Sequence, residues 1–221
     1  MRHFLQPRVL TQASLAALVS SVACYPRLTY WLNHPAPIWY LEATIFLCSM
    51  VLWGFVFAWH ARYSGRPVIV FKMGAKLFLT VTLIGIVAAM MFHLWLDPSL
   101  RIMMPKEYPE DLRHWSTLML FTLALNQLFH VFAPFAWFLR LLKNVKVAIT
   151  LTAVFGAFVL AMKIWSLPTP VSPILLTVLL AVRLAMGFLA VSFYLRGGVI
   201  LSSWWAFLFQ ARYLLDFTGH L

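Results

Sequence analysis

Three polar side chains stand close together in an apolar part of the sequence. Asn126 and His130 are four residues apart and Gln127 and His130 are three apart, so all three can lie along one stripe of an α-helix. Amides can hydrogen-bond a neighbouring helix without burying a charge, and an imidazole can ligate a haem or a metal. The stripe therefore predicts either a joint between helices or a site for a bound ligand.

A single arginine lies near the centre of a later apolar stretch. A charge at membrane depth is costly, so Arg183 is expected to face the interior of a helix bundle and to meet a carboxylate, a carbonyl or an amide. Glu42 and Asp216 are the only acidic residues inside the apolar stretches and are its possible counter-ions, although both lie nearer an interface. Two interpretations follow: a structural pair between helices, or a contact with a ligand or substrate.

Histidines raise the question of a cofactor. A haem between helices needs two axial ligands at matching depth, which His93 with His114 or His60 with His130 could supply. No metal-site spacing such as HExxH or CxxCH accompanies them, and the sequence contains neither a phosphate-binding glycine loop nor a GxSxG motif. No metal or cofactor is therefore predicted, and His93 and His130 are kept as the candidate ligands of a haem or a chlorophyll-type pigment.

Composition places these residues in a membrane. The 221 residues are 63% hydrophobic and 10% charged, with a mean hydropathy of +0.87, whereas a soluble domain is about half apolar and a quarter charged. Lipid must therefore be the solvent for much of the chain. The formal net charge is +11, but the basic residues lie mostly at the ends of apolar stretches and in short loops, as in membrane proteins that contact anionic lipids. Nucleic-acid binding is not predicted.

Seven apolar stretches are long enough to cross a bilayer core of about 30 Å. The predicted spans lie near residues 10–32, 37–60, 77–96, 115–139, 147–165, 171–195 and 199–217. Turn-forming residues separate several of them, at 33–35, 62–67, 167–170 and 196–198. The sequence therefore predicts an all-α transmembrane bundle of about seven helices with one longer loop at 97–113. Arg212 and Asp216 interrupt the last span, whose end is expected to be tilted or partly interfacial.

Lysine and arginine counts set the predicted orientation, because the cytoplasmic side of a membrane protein carries the excess of both. An inside N-terminus places on the inner side Arg2, Arg8, Arg62, Arg66, Lys72, Arg140, Lys143, Lys146 and Arg196. The outer side then receives Arg27, Arg101, Lys106, Arg113 and Lys163. The bias predicts the N-terminus inside and, with seven spans, the C-terminus outside.

The second half of the chain resembles a family of membrane enzymes in the order and spacing of its segments. These are LNQLFHVFAPFAWFLRLL (Leu125–Leu142), the span Ala148–Met162, and FLAVSFYLRGGVILSSWWAFLFQARYLL (Phe188–Leu215). The pattern is similar to the CPBP family of intramembrane proteases, which includes CAAX prenyl endopeptidases and bacteriocin-processing homologues. Tyr194, Arg196 and Gly198 match the turn that leads into the last helix of that family, and Phe155 matches the Phe of its FxxxH motif.

The catalytic positions implied by this resemblance hold other residues. Asn126 and Gln127 stand where the family has its glutamate pair, with His130 or Val131 at the following arginine. The two histidines and the last asparagine of the family are replaced as well, by Val159, by Ala206 or Phe207, and by Gln210 or Ala211. An amide cannot take a proton from water at neutral pH as a glutamate does, and valine and phenylalanine have no polar group. The resemblance therefore implies a protease fold without its chemistry, and no enzyme activity is predicted.

These observations define one transmembrane domain, residues 1–221, with three helices and the outer loop in 1–113 and the CPBP-like core in 114–221. The first functional hypothesis is an accessory, scaffold or assembly subunit of a hetero-oligomeric membrane complex, in contact with other integral membrane proteins and lipids, in a bacterial cytoplasmic membrane. The alternative is a transporter or small-ligand-binding protein that uses Arg183 with Asn126, Gln127 and His130. A third is an enzyme with a divergent site, or a haem or pigment carrier.

Overall fold

Helices form every long element of the described chain, because a backbone in lipid has to satisfy its hydrogen bonds within the segment. The computed structural model describes residues 4–31, 36–167 and 171–218. Predicted breaks at 33–35 and at 168–170 lie outside these ranges. Six described helices are long and apolar enough to cross a membrane: α1 (Pro7–Leu28), α2 (Ile38–Ser64), α3 (Ala75–Met103), α4 (Leu112–Leu142), α5 (Val145–Trp165) and α6 (Pro173–Phe217). The prediction of an all-α membrane protein is confirmed in this form.

The sixth helix differs from the two separate spans predicted at 171–195 and 199–217. It is one helical run with a break at Gly198, whose φ of 66° and ψ of −164° are not helical. The rings of Phe193 and Trp205 lie 5.2 Å apart across this break, and Ser202 Oγ donates to the Ala190 carbonyl at 3.4 Å. Residues twelve apart in a straight helix would be separated by about 18 Å. The run is therefore folded back on itself, so that arm 173–197 and arm 199–217 lie side by side.

A short extended segment holds the reversal in place. Helix α2 ends at Gly65, which has a φ of 67°, and the chain then runs extended alongside the break in α6. Ile69 forms an antiparallel bridge with Gly198, and the Val199 N–H donates to the Val68 carbonyl at 2.9 Å. The Arg66 guanidinium donates to the Leu195 carbonyl at 2.8 Å. Backbone groups freed by the turn thus find partners in this segment, as buried polar groups require.

Charge divides the bundle into two ends. At one end, which we call the basic end, lie the end of α2, the break in α6 and the turn between α4 and α5, where Lys143 has a φ of 51°. The opposite end, which we call the acidic end, holds the end of α3, the loop between α3 and α4, and the end of α6. Two ion pairs join α3 to α6, one between Asp97 and Arg212 and one between Arg101 and Asp216. All six acidic residues of the chain lie toward this end, since Glu42 is in the first turns of α2.

The packed core lies between α2, α4 and the first arm of α6. Tyr194, Phe132 and Phe135 are its largest fully buried side chains, and the Tyr194 ring lies 4.7 Å from the ring of Phe132. Toward the acidic end, a cavity lies between α4, α5 and the two arms of α6. The candidate site is in that space.

Candidate ligand-binding site

The polar stripe of α4 lies on turns that are wider than those of an α-helix. Thr122–Asn126 and Leu128–Phe132 are π-helical. Such turns are rare overall, but many of those known lie at functional sites. The extra residue in each turn changes the direction of the neighbouring side chains. Asn126, Gln127 and His130 all line one cavity of the bundle. The structure thus brings together the three residues that the sequence placed on one stripe.

Only some of the polar side-chain atoms of Asn126, Gln127 and His130 form hydrogen bonds. The His130 Nδ1 lies 3.0 Å from the Asn126 carbonyl, which can only accept, so Nδ1 donates and Nε2 is left for another partner. Gln127 Oε1 accepts from Ser202 Oγ at 3.3 Å, which joins α4 to the second arm of α6. The side-chain amide of Asn126 makes no hydrogen bond to another described residue. A structural joint therefore accounts for Gln127 Oε1, while the Gln127 amide nitrogen, the Asn126 side chain and His130 Nε2 have no hydrogen-bond partner among the described residues.

Arg183 reaches the same cavity from the first arm of α6. Close packing of α5 on this arm positions it, since a Cβ at Gly187 would stand 3.0 Å from the Ala153 Cα. The Arg183 Nε donates to the Gly156 carbonyl at 3.3 Å, and the guanidinium covers Gly156, where a Cβ would lie 3.5 Å from Nε. One long hydrogen bond uses one of the five donors of the guanidinium.

The predicted counter-ions of Arg183 have other partners. Glu42 accepts from Ser21 Oγ at 2.6 Å, and Asp216 pairs with Arg101 and lies 3.7 Å from His93 Nδ1. Of the salt bridges among the described residues, which include all six carboxylates, none involves Arg183. Neither possible counter-ion pairs with Arg183. Of the three kinds of partner expected for it, the structure shows a carbonyl, and its charge faces the cavity without an ion-pair partner among the described residues.

The cavity has a volume of about 550 Å³, within the range of small-molecule sites in proteins. Around Arg183 its wall carries the polar groups of Asn126, Gln127, His130 and Thr152. Apolar side chains form most of the remaining wall. They come from α3, α4, α5 and both arms of α6, and they include Phe92, Phe121, Leu160, Leu179, Val182 and Phe209.

Charged side chains surround the part of the cavity nearest the acidic end. Lys163 pairs with Glu107 at 2.8 Å, and the Arg27 guanidinium lies 2.6 Å from His114 Nε2. Glu107 is the only carboxylate of the described cavity wall, against the cations Arg27, Lys163 and Arg183. Because Glu107 is already paired, the cavity has an excess of positive charge and favours an anion.

The residues implied by the resemblance divide into two groups. Val159, Ala206 and Gln210 line the cavity together with Asn126 and Gln127. Phe155 and Phe207 do not line it: the Phe155 ring packs 5.8 Å from Phe129 beside a separate groove, and the Phe207 ring stacks on Trp204 at 5.5 Å. The motif positions on α4, α5 and the second arm of α6 thus lie around one cavity. The polar side chains at these positions are the amides of Asn126, Gln127 and Gln210 and the imidazole of His130.

The other three histidines that the structure describes lie in separate surroundings. His93 lies beside Asp216 and His114 beside Arg27, whereas His60 is fully buried against the Tyr194 ring at 4.5 Å. Among the residues that the structure describes, no three His, Cys, Asp or Glu side chains gather in a group that could hold a metal ion.

Sequence reasoning missed five polar members of the described cavity wall: Arg27, Glu107, Thr122, Thr152 and Lys163. Lys163 and Thr152 had a detectable signal, because Thr152, Gly156, Val159 and Lys163 recur at helical spacing and all line the cavity. Arg27 and Glu107 had none, since their positions depend on how distant helices pack.

Comparisons with known proteins identify no relative: no protein-family model, no curated protein and no solved structure matches the chain.

Proposed function

We propose that this protein is an integral membrane protein, with seven crossings and its N-terminus inside, that binds a small anionic molecule in the cavity between α4, α5 and α6. The observation that carries the proposal is Arg183, a cation within the bundle that has no carboxylate partner in the described part of the chain and lies beside the unused polar atoms of Asn126 and His130. A ligand that supplies the missing negative charge would offset the cost of holding this arginine at membrane depth.

The crossing number follows from the reversal in α6. A straight helix of 45 residues would be about 67 Å long, more than twice the thickness of a bilayer core of about 30 Å. Contacts across Gly198 make it two antiparallel arms, each long enough to cross. Five other helices and two arms amount to seven crossings. The basic end then faces the cytoplasm, in line with its excess of lysine and arginine.

Cysteine labelling tests this orientation. Lys143→Cys and Arg113→Cys place single thiols at exposed positions of the basic and acidic ends, in a Cys24→Ala, Cys48→Ala background. We expect a membrane-impermeant maleimide to label Arg113→Cys in intact cells and Lys143→Cys only after permeabilisation. The reverse pattern would contradict the orientation, and labelling of both from outside would contradict the crossing number.

Replacement of Arg183 tests the binding site. In purified protein, organic acids from acetate to long-chain alkanoates and inorganic phosphate serve as probes, since a ligand that binds the folded state stabilises it, by about 2.7 kcal/mol at a hundredfold excess over Kd. We expect at least one acid to raise the melting temperature of the wild type and to leave that of Arg183→Gln unchanged. Arg196→Gln, which removes an exposed cation at the basic end, is the matched control and should respond like the wild type.

Two outcomes would contradict the binding proposal. One is an equal response of Arg183→Gln and Arg196→Gln to every acid, which would assign the effect to surface charge. The other is a wild type that none of the acids stabilises.

An accessory role in a larger membrane complex stays a prediction from the CPBP resemblance, as does a bacterial cytoplasmic membrane location. Purification from native membranes in mild detergent tests the first, because the hypothesis requires a stoichiometric partner protein. A chain that purifies alone would contradict it. The ligand-binding proposal is favoured by the cavity itself and does not depend on a partner.

A further inference from the structure

The cavity is extended along the helices. Its wall on α5 runs from Thr152 to Lys163 and its wall on the first arm of α6 from Leu179 to Ala190, each a rise of about 16 Å. An extended hydrocarbon chain can lie along a space of that length.

Polarity changes in order along the cavity. Arg183 lies with Asn126 and His130 at the level of Gly156, and the wall beyond them is formed by Thr152, Met186 and Ala190. The section toward the acidic end is mainly apolar, with Leu118, Phe121, Val159, Leu160, Leu179, Val182 and Phe209. Its polar members, Thr122 and Gln210, are hydrogen-bonded to each other at 3.3 Å. The last section holds the Glu107–Lys163 ion pair and Arg27. Gly156 and Lys163 are seven residues apart, so the apolar section covers most of about 10 Å.

This order points to one class of ligand. A compact anion at Arg183 would leave the apolar section empty or filled with water that has few polar partners, which is unfavourable. A neutral chain would leave the arginine without an opposing charge at depth. We infer that the ligand is an amphiphile with one acidic head group on a hydrocarbon chain, with its head at Arg183 and its chain extended toward the Glu107–Lys163 ion pair. The inference rests on the proposed function and specifies the ligand of the same site.

Chain-length dependence tests the inference. Straight-chain alkanoates of increasing length are titrated into the full-length protein in lipid nanodiscs, and alkanols of equal length correct for partition into lipid. Each buried methylene should tighten binding about fourfold until the chain reaches Lys163, after which the gain should stop. Arg183→Gln should bind alkanoate and alkanol of the same length equally.

Two neighbouring residues of α5 provide matched variants. Leu160 lines the apolar section, whereas Met162 is half exposed on the outside of the bundle. Leu160→Gln should reduce the gain per methylene for the carbons that reach it, and Met162→Gln should leave the whole series unchanged. A parallel series of alkyl phosphates identifies the acid, because a carboxylate and a phosphate can both occupy the guanidinium.

The outcomes separate this inference from the proposed function. Acetate or inorganic phosphate that binds as tightly as a long-chain acid would overturn the inference and retain the anion site. Equal affinity of alkanol and alkanoate in the wild type would overturn the placement of the head at Arg183. If no anion of any length binds, both the inference and the proposed function are wrong.

Discussion

Gly198→Ala is expected to prevent the two arms of α6 from closing as they do in the wild type. The backbone at this position has a φ of 66° and a ψ of −164°, a region that is essentially restricted to glycine and costs other residues about 1–3 kcal/mol. A Cβ would also stand 2.5 Å from the Val68 carbonyl oxygen, the atom that accepts the bond from the Val199 N–H. Both effects act on the same turn, so the expected loss of stability is about 3 kcal/mol or more.

Two other glycines separate these effects. Gly65 has a φ of 67° and a ψ of 13°, the left-handed helical region, and open space around it, so Gly65→Ala should show the cost of a positive φ without a clash, about 1 kcal/mol. Gly74 has a φ of −67° and open space, so Gly74→Ala should be neutral. Thermal unfolding in detergent, with size-exclusion profiles of the expressed variants, measures all three. Equal melting temperatures for Gly198→Ala and Gly74→Ala would contradict the assigned role of the turn.

Asp97→Ala is expected to cost about 3–5 kcal/mol, because it leaves Arg212 buried without its counter-ion. Asp97 is 1% and Arg212 6% exposed, and the guanidinium donates to both carboxylate oxygens, at 2.9 and 3.3 Å. Arg212 also donates to the Phe209 carbonyl and to the Tyr213 hydroxyl, both at 2.7 Å. The network joins the end of α3 to the end of α6 next to the cavity.

A second ion pair at the same end is the matched control. Glu107 and Lys163 are about half exposed, so Glu107→Ala should cost no more than about 1 kcal/mol. Unfolding in mixed SDS micelles compares the two variants, and a cycle of Asp97→Ala, Arg212→Ala and the double variant measures their coupling. If the double variant loses the sum of the two single losses, the pair is not coupled and the prediction fails.

Tyr108 gives this network a dependence on pH. Its hydroxyl donates to Asp97 Oδ1 at 2.8 Å, and burial, followed by this hydrogen bond, raises the pKa of Tyr108 above its usual value. Because the pKa of Tyr108 is raised in the folded state, its contribution to the free energy of unfolding is complete below the ordinary tyrosine pKa, near 10. That contribution is lost as the pH rises beyond this value. In Tyr108→Phe this alkaline loss should be absent.

The sequence by itself determined the solvent and the elements. A hydrophobic fraction of 63% and apolar stretches of about twenty residues require lipid-embedded helices whatever their packing, because only an internally hydrogen-bonded backbone is stable there. The stripe of Asn126, Gln127 and His130 was also predictable, since i, i+3 and i+4 spacing depends only on the local helix and the stripe survives the two π-helical turns. The break at 196–198 was visible as a turn signal.

Tertiary structure decided the partners of each polar group. The sequence offered Glu42 and Asp216 as counter-ions of Arg183, but Ser21 and Arg101 lie closer to them, and no local pattern records which helices meet. Asp97 and Arg212 are 115 residues apart, a pairing that arises only because the ends of α3 and α6 fold to the same end of the bundle. The cavity also arises from tertiary packing, because α4, α5 and the two arms of α6 form its wall. Arg183 becomes part of a candidate site only because this packing leaves its guanidinium facing the cavity without an ion-pair partner among the described residues.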